Sequence, residues 1–456
     1  METNIPNRDF TQNACKLCAP LGACLAYKGV KGAIPFLHGS QGCATYIRRY
    51  LISHFREPLD IAASNFSEAS TIFGGGEALK TGLLNIVRQY SPEMIGVAST
   101  CLSETIGEDV PLALRELRIS KGITGLPSMP FASTPSYAGT HADGFQAAVL
   151  SMVKTIAGAD KPESIEQPVV NILPGMLSTA DLRHLREISE DFGLKPVILP
   201  DYSETLDGGP WAEYQKLPSG GTSVEEIKCM GASVMSVEFG KVSTSGLSAA
   251  EYLEKEFHVT ARKMERPIGV KATDLFMNEL SHASGKPVPE KYEKERARLI
   301  DSYVDGHKYV AGKTAAVFGE ADMVTAICGF LSEIGITPVI AASGDMSSRF
   351  VAAMKEAVSD FDEKDIRIID SADFRDIEEA VEELSPDILI GSSKGFAMSR
   401  KTGVPLLRAG MPIHDRMGGA RILQIGYRGT QAFFDSICNT LIENMQEESE
   451  IGYTYI

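Results

Sequence analysis

Residues 314–345 read TAAVFGEADMVTAICGFLSEIGITPVIAASGD. An apolar run ends in glycine, apolar residues then recur every three or four positions, a second glycine stops that pattern, and another apolar run begins. That order spells strand, helix, strand: one βαβ unit of a parallel sheet. Residues 366–393, IRIIDSADFRDIEEAVEELSPDILIGSS, repeat it, with Ser371 or Asp373 as the helix cap. Upstream, PVVNILPGM (168–176), PVILPDYSE (196–204) and ASVMSVEFG (232–240) follow the same grammar, as do IPFLHGSQGC (34–43) and MIGVASTC (94–101). The expected fold class is α/β, with three Rossmann-like doubly wound domains built on mainly parallel sheets. Their expected bounds are 1–160, 168–285 and 286–456. The polar stretch 157–168 reads as a linker, and the charged stretch 287–313 as a helix leading into the third domain.

The chain has 456 residues, 43% of them hydrophobic and 23% charged, which suits a multi-domain globular protein with ample core. A formal charge of −16 with no concentrated basic face excludes nucleic acid as the default partner. Arg48, Arg49 and Arg56 form the nearest thing to a basic patch and read as a helix face or a docking edge. No apolar run approaches the roughly 18 residues of a membrane span. The N-terminal stretch lacks the basic and apolar regions of a secretory signal, so a cytoplasmic, reducing location is expected.

In such a compartment eight scattered cysteines are not a disulfide framework. Cys43 and Cys101 each follow an expected strand, and ligand crevices of open α/β sheets lie beyond the carboxyl ends of strands. Cys18, beside a Pro-Leu-Gly turn, can join them. Three thiolates in one crevice suit iron and sulfur, and Gly39, Ser40 and Gly42 let backbone amides approach such a group. Taken singly, each cysteine reads more readily as a small buried hydrophobe than as a ligand. Cys15 and Cys18 form CKLC, but without a preceding strand or a following helix pattern the pair does not read as a thioredoxin-type motif. Cys24, Cys229, Cys328 and Cys438 have no partners at ligand spacing and read as core. GHKYVAGKT (306–314) imitates a phosphate loop, yet it precedes its strand and has five residues between its glycines.

The stretches CAPLGA, HGSQGCATYIRRYLISHFREP, IFGGGEALK, STCLSETIGED and TPSYAGTH resemble the β-type subunit of nitrogenase component 1 and its relatives. The resemblance runs over most of the chain and is densest in residues 14–145. It implies that Cys18, Cys43 and Cys101 hold an 8Fe-7S P-cluster shared with an α-like subunit in an α2β2 heterotetramer. Ser136 matches the serine that joins the oxidised cluster. Phe73 matches an aromatic where an ATP-dependent iron protein docks, although a core phenylalanine fits the sequence as well. His38 is expected to order its turn or pack near the cluster. No catalytic residue is assigned, because the catalytic metallocluster belongs to the α-like partner. The resemblance extends to the NifN scaffold of cofactor biosynthesis, where counterparts of the first and third cysteines are missing and a 4Fe-4S cluster is the alternative. A short N-terminus also brings nitrogenase-like enzymes such as methylthio-alkane reductases into view.

Overall fold

The computed structural model describes residues 13–119, 125–159, 167–242, 246–345 and 348–450. The apolar runs form strands because a parallel strand covered by helices on both faces must be apolar on both. In the first sheet β1 (Ala33–His38) and β3 (Met94–Ser99) are buried at every residue. With β2 (Ala62–Ala63) and β4 (Phe131–Ala132) they form the parallel order β2-β1-β3-β4. A second parallel sheet holds β5 (Val169–Leu173), β6 (Lys195–Ile198), β7 (Met235–Phe239) and β8 (Thr260–Met264) in the order β6-β5-β7-β8.

The third sheet contains the 314–345 unit. Its strands are β9 (Thr314–Gly319), β10 (Thr337–Ser343), β11 (Arg367–Ile369), β12 (Ile388–Gly391) and β13 (Leu406–Arg408), in the parallel order β11-β10-β9-β12-β13. The helix between β9 and β10 is Ala321–Glu333, capped by the Glu320 carboxylate, which accepts from the amides of Asp322 (2.9 Å) and Met323 (3.1 Å). Of the two caps expected near 371, Asp373 performs the role, accepting from Arg375 N at 2.9 Å, whereas Ser371 sits outside the helix at φ 48°. The charged stretch forms the Glu290–Val310 helix, which buries Tyr292, Leu299 and Val310 and packs along the Gly426–Glu448 helix. Of the expected linker, residues 160–166 lie outside the described residues. Among the described residues no helix is long and apolar enough to cross a membrane.

One helix crossing sets the position of the first candidate ligand. The Ala19–Lys28 and His141–Ile156 helices approach backbone to backbone. A Cβ on Gly22 would lie 1.7 Å from the His141 carbonyl oxygen, and one on Gly144 would lie 1.9 Å from that of Ala19. Only glycine permits that approach, which presses the start of the first helix against the turn that precedes the second.

Buried titratable groups give the chain a definite acid response. His54 and His141 accept backbone N–H bonds at Nδ1, from Ile413 (3.0 Å) and Leu17 (3.3 Å). Burial holds them down to about 4 and about 3. The unfolded chain takes up these protons near 6.5, so the stability is complete above that pH and is lost as pH falls through the window below it. Asp345 opposes this, since burial and then the Glu320 charge push it up to about 6, and its native form gains a proton first on acidification. At pH 4.5 each histidine costs about 2–3 kcal/mol and Asp345 returns about 2 kcal/mol, so the histidines prevail. The urea midpoint is expected to fall between pH 7 and 4.5, and His54→Gln is expected to flatten that decline. An unchanged slope in the variant would contradict this assignment.

Candidate metal centre at the strand ends

Each of the three expected ligands stands at the start of a helix. Cys43 lies in the first turn of Gln41–Phe55, directly after β1, where Ser40 Oγ accepts from Gly42 N at 3.2 Å. Cys101 opens Cys101–Thr105 after β3, where the Thr100 amide donates to Ser103 Oγ at 2.8 Å. Cys18 is the N-cap of Ala19–Lys28. At the two longer helices the first-turn amides are free of intrahelical partners and stand close to the cysteines.

β1 and β3 are neighbours, paired through His38 and Ser99, so the segments that follow them emerge side by side. Cys43 is pushed up first by burial and then by the negative charges of Cys101 and Cys18, so all three sulfurs share one electrostatic neighbourhood. Ser136 joins two of the segments. Its amide donates to Cys101 Sγ at 3.3 Å, and its Oγ accepts from Ala19 N, beside Cys18, at 3.2 Å. Cys18 and Cys43 are exposed and Cys101 is half-buried. Beside them Tyr46 and Tyr137 present aromatic surface that is 50% and 64% exposed.

The donor set is therefore three thiols and one hydroxyl. Among the described residues no three His, Cys, Asp or Glu side chains converge on a single-ion site. Soft sulfurs spaced around a rim fit a polynuclear iron–sulfur group better than one ion.

The other cysteines sort by environment. Cys24, Cys328 and Cys438 are buried as expected, whereas Cys229 is half-buried. Cys15 is buried and pushed up to about 12, which makes it a poor partner for Cys18 in thiol exchange. One sequence expectation is corrected here: a helix does follow CKLC. All ten residues of Ala19–Lys28 are buried, so the segment carries no polar face and no periodicity to betray it.

His38 orders its turn. It is fully buried, with Nδ1 3.1 Å from Ser64 Oγ and Nε2 3.2 Å from Glu108 Oε2. The second Glu108 oxygen accepts from Gly75 N at 2.6 Å, tying the 74–76 glycine loop to the end of β1. A Cβ on Gly75 would meet the Phe66 ring at 2.4 Å, so that position needs glycine. The short Glu68–Phe73 helix ahead of this loop leaves Ile72 and Phe73 73% and 87% exposed. Phe73 is thus not a core residue.

Sequence reading missed two residues at this site. Glu108 lies within a motif already noted, but its pairing with a histidine 70 positions away leaves no local signal. Lys394 reaches in from the third sheet, and its Nζ donates to the carbonyls of Ala14 (3.2 Å) and Lys16 (3.5 Å), clamping the segment that carries Cys18.

The family model described as nitrogenase component 1 type oxidoreductase matches residues 18–442. The chain belongs to the nitrogenase component 1 family. It is 33% identical to the nitrogenase molybdenum-iron protein β chain of Clostridium pasteurianum over 436 residues, covering 96% of this chain and 94% of that one. It is 36% identical to the β chain of Methanothermobacter thermautotrophicus, with 96% of each covered. At 34% it also resembles the iron-molybdenum cofactor biosynthesis protein NifN of Bradyrhizobium diazoefficiens, covering 97% of this chain and 92% of that one. Identity alone therefore does not separate the β-chain and NifN branches. The structure titled "Nitrogenase Cp1 at pH 6.5" superposes with a TM-score of 0.93 at 32% identity, covering 99% and 98% of the two chains. This is a β-like chain of nitrogenase component 1 type.

Proposed function

We propose that this chain is the β-like subunit of a nitrogenase-like α2β2 reductase, in which Cys18, Cys43 and Cys101 hold one side of a P-cluster shared with an α-like subunit. The observation that supports this reading is the placement of Cys43 and Cys101 after the paired strands β1 and β3, with the Ser136 amide on Cys101 Sγ and Ser136 Oγ on the amide beside Cys18. Three ligands from one chain leave coordination for a second chain, and the exposed Tyr46 and Tyr137 offer it a surface. When bound, such a cluster stores single electrons arriving from an ATP-hydrolysing iron protein and passes them to a catalytic metallocluster on the α-like subunit.

The protein groups supply position and charge. Helix starts position Cys18 and Cys43, and the Ser136 N–H donates to Cys101 Sγ. Ser136 Oγ, held by Ala19 N, stands ready as an oxygen donor. Lys394 and the His38–Glu108 pair fix the backbone on either side. No general acid or base is assigned to this chain. The substrate, dinitrogen or a methylthio compound, would be chosen by the α-like subunit.

The NifN-like scaffold is the second reading, favoured by the 34% identity to NifN. Iron counting on the purified heteromer decides between them. Eight irons per αβ interface, with a two-electron oxidation that Ser136→Ala alters, would support the reductase; a four-iron cluster there would support the scaffold.

Phe73 is proposed to dock the iron protein. At 87% exposure it contributes nothing to a core, so Phe73→Ala is expected to shift stability by less than about 0.5 kcal/mol. It is expected to weaken iron-protein binding about tenfold, the loss typical of an exposed aromatic anchor. Unchanged half-saturation by the iron protein would refute the docking role.

A further inference from the structure

A cavity of about 50 Å³ lies between segments that follow β5, β6, β8, β9 and β13 and three helices of the first sheet's layer, lined by His54, His141, Arg266, Met323, Met411 and Gln424 among others. Beside the Asp181 and Glu320 carboxylates, four of its side chains present donors: Arg266, Gln424, His54 and His141. Arg266 is 5% exposed, and its Nε has no hydrogen-bond partner; nor does Nε2 of Gln424. The two histidines accept backbone N–H bonds at Nδ1, which puts the proton of each neutral ring on Nε2.

The lining carboxylates are already used. Asp181 takes the amides of Gln424 (2.8 Å), Ile425 (3.2 Å) and Ser178 (3.2 Å). Glu320 takes two helix amides and the Arg266 guanidinium. Tyr202 donates its hydroxyl to the Leu177 carbonyl at 2.5 Å.

We propose that this cavity binds a small carboxylate of the size of formate or acetate, held by Arg266 and Gln424. A carboxylate is acceptor-only and matches a ring of donors, whereas each water would bring two protons to a wall with few acceptors left. A divalent metal is excluded, because backbone amides occupy the imidazole lone pairs that would bind it. The volume admits a molecule of a few heavy atoms and not a nucleotide.

The test is calorimetric titration of the purified heteromer with sodium formate, acetate and butyrate at constant ionic strength. Formate and acetate are expected to bind saturably and butyrate is not, a size cut-off that a surface site would lack. Gln424→Leu is expected to weaken acetate binding about tenfold, the loss of one hydrogen bond to a charged group, with iron content unchanged. No saturable binding of formate or acetate by the wild-type protein would overturn the proposal. So would butyrate binding as tightly as acetate, or a folded Gln424→Leu protein of unaltered affinity. Should that variant not fold, the wild-type size series decides the question alone.

Discussion

Cys43→Ala is expected to yield a soluble, folded heteromer that has lost most of its interfacial iron and more than about 99% of its reductase activity. Cys43 is exposed, in the first turn of a helix whose cap is Ser40, so its sulfur contributes little to packing. Replacing it should shift the stability of the chain by less than about 0.5 kcal/mol. Its cost falls on the metal. Groups that merely orient metal ligands are worth about 10–100-fold in affinity or activity, and a ligand itself is worth more. Cys24→Ala is the matched control. Its sulfur is fully buried in the core and its thiol is pushed far up by burial, so the variant should lose stability and keep iron. Full iron and activity in Cys43→Ala would leave the cysteine rim without a function.

Arg266→Met is expected to cost about 3–5 kcal/mol of stability by urea denaturation. The Arg266 and Glu320 side chains are 6% and 8% exposed, and they pair across the junction between the strand end of β8 and the start of the Ala321–Glu333 helix. Removing the guanidinium strands a carboxylate in a low-dielectric setting while that carboxylate still has to cap a helix. The Arg266→Met/Glu320→Gln pair is expected to recover much of the loss, because no buried charge remains. A single-variant loss under about 1 kcal/mol would show that the ion pair contributes little to holding the second and third sheets together.

The parallel sheets were readable because buried parallel strands are apolar on both faces and end at glycine, as in 314–319 and 337–343. The Asp373 cap was readable for the same reason: local chemistry fixes it. The Ala19–Lys28 helix was not, since a helix buried all round has no stripe. Cys43 and Cys101 were legible as residues after strand ends, whereas the trio as a ligand set comes from the family resemblance. Two-residue strands such as β2 and β4 carry too little pattern to be seen. Contacts made across the tertiary fold, such as Lys394 to the carbonyls of Ala14 and Lys16, have no sequence trace at all. Likewise Phe73 could be read as core or surface until the 68–76 segment was seen to stand outside the sheet, held by Glu108 at Gly75.

The most direct measurement is an iron anomalous-difference map from crystals of the purified heteromer. The account predicts one compact iron–sulfur peak at each αβ seam, apart from any iron on the α-like subunit and bonded to the sulfurs of Cys18, Cys43 and Cys101 together. No iron at that seam, or iron there with those three sulfurs bonded to none, would contradict it.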